Sequence, residues 1–118
     1  MRRIPACCCA ILAVAFAAPA RAQAVASSAA CAPDAVKQAR KLLVFHLDGE
    51  DQGVHVGDGA RPLPSILNPA DRQRRQRFDV LEVRGSFYKG EYRMRFEYFR
   101  AGDTCVLMGQ EILEIGRP

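Results

Sequence analysis

Two histidines, His46 and His55, with the carboxylate of Asp48 near the first, are the residues of this 118-residue sequence best suited to metal-assisted hydrolysis. Neutral imidazoles and a carboxylate make a usable ligand set, but their spacing follows no diagnostic metal pattern. The run Asp48-Gly49-Glu50-Asp51-Gln52-Gly53 sets oxygens at alternate positions with glycine sixth, faintly like a calcium loop. Its twelfth position, which needs a bidentate Glu, is Gly59, so the strongest ligand is missing and no metal is expected. Ser27, Ser28, Ser65 and Ser86 stand in no nucleophile elbow. A thiol nucleophile would need a free cysteine beside a histidine.

Charge is concentrated elsewhere. Arg72, Arg74, Arg75 and Arg77 place four guanidinium groups within six residues, suited to bidentate bonds with carboxylate or phosphate. Arg93 and Arg95 on one face of a strand extend that patch, and Tyr88 in a neighbouring turn adds an amphipathic contact residue. These seven residues are the expected partner-binding surface. The sequence has no zinc-finger, RRM or KH pattern, so nucleic acid is not an expected partner.

The elements that must position these groups follow from periodicity. Pro33 and Asp34 open a helix, and Ala35, Val36, Ala39, Leu42, Leu43 and His46 recur at helical spacing, which predicts a helix over 33–47 closed by Gly49. Val54-His55-Val56 reads as a short strand. The turn chemistry of Gly57-Asp58-Gly59, Pro62, Pro64 and Asn68-Pro69 predicts one long loop over 57–77. Residues 78–83 open a strand, Tyr88-Lys89-Gly90-Glu91 a hairpin turn, and Tyr92, Met94, Phe96 and Tyr98 the buried face of the next strand. Ala101-Gly102-Asp103 turns into a last strand over 105–115, with Gly109 marking a bulge. The predicted fold is α+β, one N-terminal helix packed on a three- to four-stranded antiparallel meander in a single domain over 32–118.

The N-terminus carries an address. Arg2 and Arg3 precede an apolar run from Cys7 to Ala18, then Pro19 and the small-residue stretch Ala20-Arg21-Ala22. This is the form of a cleaved secretory signal over 1–22, too short to span a bilayer. The twin arginine lacks its usual following context, and Cys7, Cys8 and Cys9 come too early for a lipid-anchored cysteine. Residues 23–31 read as a flexible leader.

Cleavage after Ala22 removes Arg2, Arg3 and Arg21 and no acid, so the formal charge of +4 falls to about +1. It also removes three of five cysteines, leaving Cys31 and Cys105. Two cysteines in an exported domain predict one disulfide.

The expected protein is therefore periplasmic or secreted, without cofactor or mature membrane anchor. It is expected to be a non-catalytic binding or envelope accessory protein, an inhibitor-type module being one such form, facing a periplasmic protein or an anionic envelope component. The alternatives are a small metal-dependent hydrolase using His46, Asp48 and His55, and a structural envelope component.

Overall fold

The computed structural model describes residue 17 and residues 24–116. The expected signal sequence over 1–22 otherwise lies outside the described residues. Helix α1 spans Ala32–His46, followed by strands β1 Val54–Val56, β2 Arg61–Leu67, β3 Arg77–Phe87, β4 Gly90–Ala101 and β5 Thr104–Gly116. All strand pairings are antiparallel, and β3 is the hub. β1 and β2 pair with opposite ends of β3 along one of its edges, β4 pairs with the other edge, and β5 lies outside β4.

The helix begins where Pro33 can omit an N–H that has no intrahelical acceptor, with Asp34 in the first turn. It closes on two bonds past its last turn, Asp48 N–H to Phe45 O at 3.2 Å and Gly49 N–H to Val44 O at 2.9 Å. This is the paired closure of a Schellman motif, in which the first residue beyond the cap adopts left-handed geometry. Asp48, at φ +56°, takes that place, and Gly49 follows at φ +90°.

Ala35, Ala39 and Leu43, four residues apart, form the fully buried stripe of α1. The sheet answers with Leu81 and Val83 from β3 and Tyr92, Met94, Phe96 and Tyr98 from β4. Two alanines let the helix lie low on the sheet. Gly85 does the same from below, since a Cβ there would stand 3.0 Å from Leu43 Cδ2 and 3.1 Å from His55 O. Tyr98 buries its ring and donates its hydroxyl to Asp34 Oδ2 at 2.8 Å, tying the helix start to β4. The Cys31–Cys105 disulfide joins the same helix end to the start of β5, with Cα atoms 5.8 Å apart.

Three expectations are corrected. The sheet has five strands, not three or four, because residues 61–67 form β2 within the expected 57–77 loop. Pro62 and Pro64 disguise it, and the register breaks between Leu63 and Ile66, where Pro64 falls. The connection before β3 shrinks to residues 68–76.

The expected flexible leader over 23–31 is docked from Val25 onward. Ala26 bridges Pro64, Ser65 N–H donates to Val25 O at 2.7 Å, and Ser27 Oγ accepts the buried Val80 N–H at 2.8 Å. The bulge expected at Gly109 is present: Glu97 pairs with Gly109 but Tyr98 with Leu107, so Met108 has no register partner.

The disulfide closes a separation of 74 residues, worth about 4 kcal/mol through the unfolded chain's entropy. Reduction should lower the urea midpoint by a corresponding amount. Equal midpoints with and without reductant would show that it contributes no stability.

Candidate functional site

α1 is the only helix among the described residues, and the five strands lie in one sheet, so no second layer formed by described residues covers the face opposite the helix. Side chains alternate across a strand, so Leu81 and Val83 face the helix while Val80, Glu82 and Arg84 share the other face. Cross-strand register then dictates the neighbours. Arg61, Glu82, Arg95 and Glu111 stand opposite one another in one row from β2 to β5. In the next row Arg84 faces Arg93, and Arg93 faces Leu113. The first row alternates in sign. The second sets two cations side by side, an arrangement that destabilises a sheet unless an anion lies between them.

Glu82 is that anion. Its side chain is 3% exposed, and its carboxylate accepts Arg61 Nη2 at 3.0 Å, Arg84 Nε at 3.2 Å and Arg95 Nε at 3.0 Å. Burial alone would raise its pKa. The hydrogen bonds from Arg95 and Arg61 and the charges of Arg84 and Arg61 outweigh burial and hold it below the ordinary value.

Arg93 is served differently. Its Nε lies 3.9 Å from Glu82 Oε2 and its Nη2 lies 3.9 Å from Glu111 Oε1, both beyond hydrogen-bond reach. The Nε is enclosed, yet has no hydrogen-bond acceptor.

The expected contact residues fall into four separate places. Arg93 and Arg95 lie on this mid-sheet face. Arg72, Arg74 and Arg75 are exposed in the 68–76 connection, whose backbone is organised by Asp71. That carboxylate accepts N–H groups of Gln76, Arg75 and Gln73 at 2.7, 2.7 and 3.0 Å. The Gln76 and Arg75 bonds lower its pKa despite some burial cost.

Arg77 is turned away from this group, with Nε on Ser65 Oγ at 2.8 Å and Nη2 on Ser65 O at 2.9 Å, so it braces β2. Tyr88 is 88% exposed at the β3–β4 turn, its ring edge-on to Phe87. The eleven residues of β3 separate that turn from the arginine connection by about 33 Å.

His46, Asp48 and His55 are not gathered into one centre. The His46 ring packs on Tyr92 with centroids 5.6 Å apart, Asp48 closes the helix, and His55 lies on β1 opposite Ser86. Among the described residues no three His, Cys, Asp or Glu side chains stand as a metal-ligating group. Arg61, Glu82 and Arg84 escaped the sequence reading. The strand containing Glu82 was legible, but its pairing with Arg61 and Arg95 was not.

No family model, curated protein or solved structure matches the chain.

Glu82→Gln should cost about 2 kcal/mol at pH 7, less than a fully buried pair because Arg61 and Arg84 remain largely exposed. Since the folded pKa is depressed, this stabilisation is present above pH 4.5 and is lost as pH falls through the lower folded value. The gap between wild type and variant in urea unfolding should therefore narrow at acid pH. A constant gap between pH 7 and pH 3 would show that ionised Glu82 is not its source.

Proposed function

We propose that the chain is an exported, non-catalytic binding or accessory protein of the periplasm or cell envelope, whose contact surface is the sheet face opposite α1. One observation carries this reading: that face combines a buried glutamate beneath four arginines with exposed apolar residues on β5. Leu113, 50% exposed, stands directly beside Arg93, and Val106 is exposed on the same face next to Phe99. Arginines with adjoining aliphatic surface suit a protein interface, where planar donors fix orientation and apolar area supplies binding energy.

Export is supported by the basic start, apolar run and Ala-x-Ala site of the sequence, and by one disulfide linking the two cysteines that would remain after cleavage. An inhibitor-type module suits the small size and stapled sheet. The basic 68–76 connection is a second contact on the same partner or on an anionic envelope surface. The hydrolase alternative is less well supported, because His46, Asp48 and His55 make separate local contacts.

A photoreactive residue substituted for Leu113 should crosslink a specific partner in the periplasmic fraction of intact cells. The same substitution at Lys37, exposed on the helix, should not. Crosslinking only from position 37, or retention of the chain in the cytoplasm, would overturn the reading.

A further inference from the structure

We infer that Arg93, with the outer edge of Arg95, receives one carboxylate of a partner protein, an Asp or Glu side chain next to an apolar residue that rests on Leu113. This deepens the sheet-face reading and rests on it. A carboxylate offers about four lone-pair sites, and Glu82 already receives three close guanidinium N–H groups at 3.0, 3.2 and 3.0 Å. One site on Oε2 remains, but Arg93 does not come close enough to use it. Arg93 stands 3.9 Å from Glu82 and from Glu111, and Arg95 Nη1 stands 3.8 Å from Glu111.

Four guanidinium groups thus share two carboxylates, and the one farthest from any acceptor is also the least exposed, its side chain 25% accessible. The enclosed Nε lies out of an incoming partner's reach. An acceptor therefore bonds the outer Nη groups, of which Nη2 stands 3.9 Å from Glu111, and brings counter-charge to a guanidinium short of it. The cross-strand opposition of Arg84 and Arg93 adds to the cation density at the same point.

The chemistry of the acceptor follows from the acids already present. Glu82 and Glu111 lie in the cluster, and Glu91 and Glu97 occupy the same face two residues from Arg93 and Arg95 along β4. A phosphate dianion would meet repulsion from these groups. A single carboxylate matches the fork of one guanidinium and brings half the charge. Leu113, directly opposite Arg93 and half exposed, supplies an apolar footing beside the fork. A partner side chain there would exchange water for hydrocarbon as it formed the ion pair.

The test uses the full mature chain and three probes: a synthetic peptide of alternating Glu and Leu, its Gln-for-Glu analogue, and inorganic phosphate. The Glu peptide should shift the Arg93 Nη–H resonances, and the Gln analogue should not. Arg93→Gln should weaken peptide affinity about tenfold, as expected for loss of a charge-assisted bond. Glu111→Gln, which removes the competing carboxylate, should strengthen it about threefold by the same electrostatic logic, a gain that misfolding cannot mimic.

Phosphate binding as tight as the peptide's, equal binding of both peptides, or an unmoved Arg93 signal would each overturn the assignment. A Leu113 crosslink that persists unchanged in the Arg93→Gln background would also overturn it while leaving the sheet-face reading intact. Loss of that crosslink in unsubstituted Arg93 protein would defeat the wider reading instead.

Discussion

One helix can cover only one face of a five-stranded sheet, and the arrangement of this molecule follows from that shortage. The helix-facing side is solved conventionally: Ala35, Ala39 and Leu43 settle over Leu81, Val83 and the Tyr92-to-Tyr98 stripe. With no second layer among the described residues, the other side cannot be uniformly apolar and remain in water. Its middle is filled by Glu82 and the arginines around it, whose long aliphatic stems cover the strands while the carboxylate offsets part of their charge. Phe78 and Val80, also buried, lie on the same alternation as Glu82 and outside the main core cluster. A charged network therefore does on one face what hydrocarbon does on the other.

The two solutions differ in what they leave over. Apolar packing tolerates no vacancy, and the core side is closed by small residues placed where the helix comes closest. An ion network can be balanced in bulk and still leave a particular group short of partners. Arg93 is that group: three arginines hydrogen-bond Glu82, while Arg93 stands 3.9 Å from it and its enclosed Nε has no acceptor. The same shortage that forces charge onto this face thus makes it receptive.

Legibility in the sequence tracked the range of the interaction. α1 could be read because its apolar residues recur at helical spacing, and its ends agree with the structure within one residue. β4 and β5 were visible from alternation and from the turn at Gly102, and both cysteines were correctly paired. β2 was hidden because Pro62 and Pro64 imitate a loop, and it is held by β3 and residues 25–27 rather than by propensity.

The outward side of Arg93 and Arg95 followed from period two, but the carboxylate they surround did not. Glu82 reaches Arg95 only through a strand register set by the whole hairpin. Arg77 was grouped with its neighbours by spacing alone, whereas Ser65, twelve residues earlier, claims its side chain.

The Cys31–Cys105 link also has a consequence in time. Synthesis proceeds from the N-terminus, so Cys31 is made 74 residues before the thiol it must find. Until β5 arrives, the helix start is without its clamp, and the stripe of α1 has only partly assembled strands to lie against. Because β5 is the last of the described strands, the disulfide can close only after the chain of every other described strand has been made. Cys105 then acts as a marker of completeness: a chain stopped before β5 leaves Cys31 without its Cys105 partner, chemically distinct from one that has closed the bond.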